Sequence, residues 1–243
     1  MQVINAFWEK RNLGIETTEI VLSNSDSLSD IENTLNLLSS EKQYIVVKIP
    51  NQKIDFVKLL TDKGFCFMES LFEISLHIKD YILPEYLKRF DEMLIYKKMM
   101  TDGDFALLET EIKKGIFISD RISLDPNFGI NIAAVRYINW IKDELEKGSE
   151  IFEILLKEEP IGFFSLKKLS SGKYDNFLAG MYRNKKNTGF GFSILSKSIS
   201  ELIIRQAEIY VTHISSNNLP IMRLYFSLGF CPSDVVYVMT KLG

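Results

Sequence analysis

The sequence predicts a mixed α/β (α+β) chain in two parts, and three observations carry that reading. Short β-branched runs alternate with segments whose apolar residues recur every three to four positions. A helix-stop pattern occurs twice, as Lys58-Leu59-Leu60-Thr61-Asp62-Lys63-Gly64-Phe65-Cys66 and as Arg223-Leu224-Tyr225-Phe226-Ser227-Leu228-Gly229-Phe230-Cys231, each time before an alternating strand. With 243 residues, 46% of them hydrophobic, the chain can bury a sizeable core and has room for one large or two small domains. We divide it into a small unit, residues 1–97, and a larger one, residues 98–243.

In the first part, residues 19–22 form a short strand-like run, and 30–38 carry Ile31, Leu35, Leu37 and Leu38 at near-helical spacing. Residues 44–49 read as a buried strand stopped by Pro50, 54–63 as a helix ended by Gly64, and 72–78 as a half-exposed strand. Residues 84–101 are a mixed, partly helical connection. The second part opens on a polar segment, 119–128, with turn chemistry at Asp125-Pro126-Asn127. A helix follows over 132–147, where Val135, Ile138, Ile141 and Leu145 share a stripe and Gly148 is the stop. Residues 151–156 and 161–166 flank Glu158-Glu159-Pro160 as a hairpin. Strand 176–182, helix 192–207, strand 209–214, helix 219–228 and strand 235–240 complete the chain.

Composition excludes several classes. A net charge of −3 gives no basic field for nucleic acid. The cluster Arg183, Lys185 and Lys186 is matched to a small anion, or is a solvated turn. The N-terminus lacks a basic region followed by an apolar core, and no run approaches 18 apolar residues, so a soluble cytoplasmic protein without a membrane partner is expected. Two cysteines and two histidines make neither a disulfide framework nor a metal site. There is no GxSxG elbow and no P-loop.

Chemistry concentrates near the C-terminus. Lys186-Asn187-Thr188-Gly189-Phe190-Gly191 sets a basic residue and two glycines before a helix, where backbone N–H groups and the helix dipole can face a pyrophosphate. Glycines there can also merely join elements. Asn218-Leu219-Pro220-Ile221-Met222-Arg223-Leu224-Tyr225 follows, and then Gly229-Phe230.

Together these motifs resemble the Gcn5-related N-acetyltransferase (GNAT) family, whose loop reads Arg/Gln-x-x-Gly-x-Gly/Ala and whose next segment commonly reads Asn-x-x-Ala-x-x-Leu-Tyr-x-x-x-Gly-Phe. The resemblance covers roughly residues 105–243. Lys186 stands where the family has Arg or Gln, and Asn187 where it often has glycine. The resemblance implies the GNAT acyl-CoA N-acyltransferase fold and acetyl-CoA as cosubstrate, with no metal. It places Lys186, Asn187, Thr188, Gly189, Phe190 and Gly191 around the pyrophosphate and strand 176–182 along the pantetheine arm. The Met181 N–H then falls near the thioester oxygen. Asn218 would support the coenzyme arm or cap a helix, and Tyr225 would protonate the leaving thiolate or simply pack. For the base, His213, Asp125, Glu153 and water stay open, and Arg121 reads as a surface partner of Asp120 or Asp125, or as a contact to an anionic diphosphate. The first part looks like a degenerate GNAT-like half, with Leu60 in the place of Tyr225 and no glycine loop before it.

The expected activity is transfer of acetyl to a primary amine of a small molecule. Trp8-Glu9 with Leu13-Gly14, Asp120-Arg121 through Phe128, and the helix bearing Tyr137 and Trp140-Ile141 are similar to the family's branch that acetylates nucleotide-linked amino sugars. A coenzyme-binding sensor without turnover and an acetyltransferase of protein N-termini or lysines are the alternatives, and a homodimer stays open.

Overall fold

The computed structural model describes residues 1–38, 43–185 and 188–243. Its first half runs β1 (Gln2–Asn5), α1 (Phe7–Leu13), β2 (Thr17–Val21), α2 (Leu28–Leu38), β3 (Tyr44–Pro50), α3 (Ile54–Asp62) and β4 (Cys66–His77). A short helix, α4 (Glu85–Asp91), leads to β5 (Leu94–Lys98), α5 (Asp102–Lys113), α6 (Arg121–Leu124) and α7 (Ile130–Glu146). Then come β6 (Glu150–Leu156), β7 (Glu159–Ser170), β8 (Lys173–Asp175), β9 (Ala179–Met181), α8 (Ser193–Ile204), β10 (Ile209–Ser215), α9 (Leu219–Ser227) and β11 (Cys231–Leu242).

Every strand-like and helical segment read from the sequence is present, with three differences of physical interest. The 84–101 connection contains β5, which pairs antiparallel with β6 and so belongs to the second half's sheet from Leu94 onward. β4 begins at Cys66 rather than 72, because β11 pairs with it from Cys66 onward, whereas β10 joins its other side only from Leu71. Of the single strand expected over 176–182 only β9, Ala179–Met181, is strand; β8, Lys173–Asp175, lies before it and takes a different neighbour. The hairpin after β6 closes through Lys157 and Glu158, both at positive φ, the two-residue turn whose twist suits the flanking strands.

One sheet results, in the order β1-β2-β3-β11-β4-β10-β8-β7-β6-β5, with β9 beside β7. The halves exchange their last strands: β4 lies between β10 and β11, while β11 lies between β3 and β4. β3 reads as a nearly continuous apolar run because both of its faces are covered. Tyr44 and Val46 pack with Ile122 and Ala133 on one face, whereas Ile45, Val47 and Ile49 pack with Phe56 and Leu60 on the other. On the first face α7 crosses both halves, with Ala133 in one core cluster and Ala134, Tyr137, Ile138 and Ile141 in the next. On the other face α8 and α9 cover β7, β8 and β10.

The repeated helix-stop pattern has one geometry. Phe65 N–H donates to Leu60 O, and Phe230 N–H donates to Tyr225 O, across glycines at φ +83° and +90°. This is the Schellman closure, which glycine makes without a Cβ penalty. Leu60 and Tyr225 therefore occupy equivalent positions on α3 and α9. Among the described residues no helix is long and apolar enough to cross a membrane.

The exchange has a consequence for fragments. Residues 93–243 alone would lack β4 and leave the facing edges of β10 and β11 unpaired, so that fragment should aggregate, and co-expression with residues 1–92 should recover a soluble complex. A 93–243 fragment that is monomeric and melts cooperatively would contradict this.

Candidate active site

The site is set by two parallel strands that part. β8 pairs with β10 through Lys173↔Ile209, Tyr174↔Tyr210 and Asp175↔Val211. The last ties are Asn176 N–H to Val211 O at 3.0 Å and the Thr212 hydroxyl to Asn176 O at 2.7 Å. Beyond them the chain turns to β7 alone, with Ala179↔Phe164, Gly180↔Phe163 and Met181↔Gly162. Tyr182 N–H donates to Ile161 O, so the alternation of an antiparallel ladder turns the amides of Ala179 and Met181 away from β7 and into the gap. Glycine is required there, since a Cβ at Gly162 would stand 2.6 Å from Gly180 O.

Past Met181 the chain makes a 3₁₀ turn, Arg183–Lys185. Lys186 and Asn187 lie outside the described residues. Thr188 donates its hydroxyl proton to Lys185 O at 2.7 Å. Gly189 sits in the left-handed region at φ +87°, ahead of the turn Phe190–Phe192 and then α8. No side chain caps that turn, so its first N–H groups are available to an outside acceptor, whereas Ser193 N–H at the start of α8 already donates to Phe190 O. A Cβ at Gly189 or Gly191 would meet nothing within 4 Å, so the glycines border open space. Phe190 is anchored edge-on by Phe90 of α4. Of the loop's basic residues, Arg183 donates to Lys114 O and Lys185 pairs with Glu159. The residues present fit an anionic phosphate through backbone donors rather than through these two side chains.

Tyr225 rises from α9 beneath the gap. It is 4% exposed, its ring stands edge-on to Phe230, and its hydroxyl faces Thr212 and Tyr210. Burial raises its pKa well above the ordinary value, so it stays protonated. Tyr210 is itself held by Ser198 at 2.8 Å and by the Asn176 amide at 2.6 Å. Asn218 precedes α9 but makes no side-chain cap, which leaves its amide for other work.

Tyr225, Asn218 and the gap open onto a cavity of about 1020 Å³. Ala179 lines it and Met181 does not, so of the two free strand amides the nearer to the cavity is that of Ala179. From α7, Arg136, Tyr137, Trp140 and Asp143 project into it as one helical stripe. Trp8 and Glu9 come from α1, and Asp120 and Arg121 from the start of α6. Residues scattered over 130 positions of sequence thus meet at one wall.

Arg121 corrects the surface reading. It is 8% exposed, its Nη2 donates to Glu9 Oε1 at 2.7 Å, and its Nη1 is buried without a partner. Arg136 Nε holds both oxygens of the same carboxylate, at 2.9 and 2.8 Å. Burial opposes the charge on Glu9, but Arg136 and Arg121 outweigh it and hold its pKa at about 2. Asp120 instead caps α6, accepting from Ile122 and Ser123 N–H.

The candidate bases separate cleanly. Asp125 accepts from the Tyr44 hydroxyl and from Asn127, and Glu153 accepts from the Tyr182 hydroxyl and pairs with Lys97; neither reaches the cavity. His213 does line it, with Nε2 3.6 Å from Glu73 and a pKa lowered by burial. The sequence reading missed Asp175. This carboxylate lines the cavity one residue before the strands part, its Oδ1 is buried without a partner, and burial raises its pKa to about 7. No local pattern marked it: β8 reads Lys173-Tyr174-Asp175, and an aspartate in so short and polar a run has no spacing signature.

No family model matches the sequence, and no curated protein matches it. The solved structures do. A GCN5-related N-acetyltransferase from Sphaerobacter thermophilus superposes with a TM-score of 0.67 at 10% identity, over 99% of this chain and 75% of that chain. The chain has the GNAT fold. A glucosamine N-acetyltransferase region within a fungal multi-domain β-N-acetylglucosaminidase gives a TM-score of 0.67 at 10% identity, over 99% of this chain and 31% of that one. A tandem GNAT protein from the clavulanic acid biosynthesis pathway gives 0.56 at 11%, over 93% and 75%.

The raised pKa of Asp175 has a testable sign. Its stability contribution is complete below about pH 4 and is lost as pH rises through about 7, because the unfolded chain ionises first. Asp175→Asn should therefore match the parent's unfolding free energy near pH 4 and exceed it at pH 8, by a difference of order 1–3 kcal/mol given the partial exposure of the group. Equal melting curves at pH 8 would show that Asp175 is ordinarily solvated.

Proposed function

We propose that the protein is an acetyl-CoA-dependent N-acetyltransferase acting on a primary amine of a small molecule, by direct attack on the thioester. One observation carries the reading: the Tyr225 hydroxyl, the free amide edge at Ala179 and Met181, and the unpartnered Asp175 carboxylate border the same gap. The pyrophosphate would rest on the N–H groups of the turn from Gly189 to Phe192, with the pantetheine arm extending β9 as an added strand. The amide of Ala179, or of Met181, would stabilise the developing oxyanion.

The acceptor amine enters the cavity as ammonium and gives its proton to Asp175, whose pKa of about 7 makes it a competent base at neutral pH. Nitrogen then attacks the carbonyl carbon. The C–N bond forms, the tetrahedral adduct collapses, and the C–S bond breaks. Sulfur takes its proton from Tyr225, the second proton shed by nitrogen restores the tyrosine through water, and Asp175 releases the first proton to solvent. An ordinary tyrosine near pKa 10 facing a thiol near 8.5 makes that transfer uphill by roughly 2 kcal/mol. Burial of Tyr225 steepens it, so transfer must accompany C–S cleavage rather than precede it.

The finer substrate assignment is an amino sugar. Trp8-Glu9, Asp120-Arg121 and the Tyr137/Trp140 helix, which resemble TDP-fucosamine acetyltransferases, all contribute to the cavity wall. Among the neighbours, one is named for acetylation of glucosamine. We read the first half as a degenerate GNAT-like unit, residues 1–97, that builds acceptor wall instead of binding coenzyme.

Two measurements test this. Tyr225→Phe keeps the ring against Phe230 and removes only the hydroxyl, so turnover with an amine acceptor should fall by roughly 10²–10⁴ while CoA affinity is nearly unchanged. Lower melting temperature with intact turnover would make Tyr225 a packing residue. In calorimetry CoA should saturate at one per chain, and Gly189→Val, strained at φ +87°, should weaken it by about tenfold or more. Unchanged affinity in a folded Gly189→Val protein would remove the loop from the account.

A further inference from the structure

The cationic cluster at the far wall of the cavity is not used by the chemistry above. Two guanidinium groups, Arg121 and Arg136, share a single carboxylate, Glu9, and Arg121 Nη1 is left buried and unpartnered while the residue lines the cavity. The other groups around Arg121 do not supply the missing acceptor. Asp120 is committed to the first turn of α6, Glu19 pairs with Lys48 at 2.8 Å, and the Tyr44 hydroxyl donates to Asp125. Glu69 also faces the cluster, and burial raises its pKa, so it yields its charge more readily than an exposed glutamate. Other ions on the wall form pairs of their own, Arg11 with Asp143 and Lys147 with Glu144.

We propose that Arg121, steadied by Glu9 and assisted by Arg136, binds an oxyanion carried by the acceptor away from its amine. The guanidinium fork is suited to a phosphoryl or carboxylate group, which supplies the strong acceptor that Nη1 lacks. Trp8, Tyr137 and Trp140 stand beside it, with the Arg136 guanidinium over the last two rings. Glu9 is a positioning residue: it comes from α1 of the first half, whereas both arginines come from the second. The first half therefore takes part in acceptor selection although it lacks the tyrosine and the loop. This rests on the acetyltransferase reading for the word acceptor, but the anion site itself can be tested without acetyl transfer.

The chain has two tryptophans, and both line this cavity, so intrinsic fluorescence reports directly on it. Full-length protein saturated with CoA, which occupies the loop near Gly189, is titrated with inorganic pyrophosphate and separately with malonate. Saturable change with either supports the site, and the tighter of the two identifies phosphoryl or carboxylate as the group recognised. Arg121→Gln should weaken that binding at least tenfold, and Arg121→Lys should recover only part of it because the fork is lost. Should Arg121→Gln not fold, Arg136→Gln takes its place, with at least threefold weakening expected. No fluorescence response from the parent protein to either anion overturns the proposal, as does parental affinity in a variant that melts like the parent. Equal kcat/KM for amines with and without an oxyanion would also overturn it and leave the acetyltransferase reading standing. Failure to bind CoA would remove that reading while the anion titration still decided the site.

Discussion

Two paired strands that separate inside a protein leave backbone donors and acceptors that must find other partners, and this constraint organises the molecule. Up to Asp175 and Val211 the ladder is regular; at Asn176 and Thr212 a side-chain hydroxyl makes the final tie. Past it, β9 keeps β7 on one side and presents bare amides on the other. An extended amide-bearing molecule added to that edge restores the missing pairing, which is the chemistry of β-augmentation. Tyr225 lies below the opening, Asp175 at its root and the glycine loop at the end of β9, so each functional group is placed by the same divergence.

Two helix stops of one geometry carry different side chains on the two sides of the exchanged strands β4 and β11. The closure across Gly64 matches that across Gly229, yet Leu60 turns its apolar side chain into the core with Phe56 and Ile49, where Tyr225 carries a hydroxyl to Thr212. A leucine satisfies packing without needing a polar partner. A tyrosine at 4% exposure needs one, and the Tyr210, Ser198 and Asn176 network beside it supplies a polar environment within a core that also contains Phe230 and Leu228. The two halves are tied together along β4 and β11.

Features fixed by local forces were legible in the sequence. The helix α7, the stops at Gly64 and Gly229 and the turn glycine Gly189 all rest on residues within one or two helical turns of each other, although Val135, read as part of the α7 stripe with Ile138 and Ile141, is exposed and Ala134 and Tyr137 are buried instead. What stayed hidden depends on distant partners. The shortening of strand 176–182 to β9, with β8 before it, comes from a change of neighbour, which no run of residues encodes. β5 is a strand because β6 is beside it. Arg121 looked like a surface arginine next to two aspartates, but its carboxylate partner is 112 positions away. Asp175 drew no notice because a single aspartate has no spacing signature, and its altered acidity comes from burial.

The Glu9, Arg121 and Arg136 cluster argues against a purely structural explanation of that wall. Charges withdrawn from water recover their desolvation cost only when geometry is good and every remaining donor is satisfied, and well-packed apolar residues often do as well or better. Here one carboxylate serves two guanidinium groups, and a buried N–H stays unpaired, an omission worth about 1–3 kcal/mol or more for a charged donor. The neighbouring core shows that apolar packing was open to these elements, since Ile122, adjacent to Arg121, is fully buried against Tyr44, Val46 and Ala133. A fold that retains an incompletely paired cation beside a cavity, where an apolar side chain would have been less costly, keeps it for a group that arrives from outside.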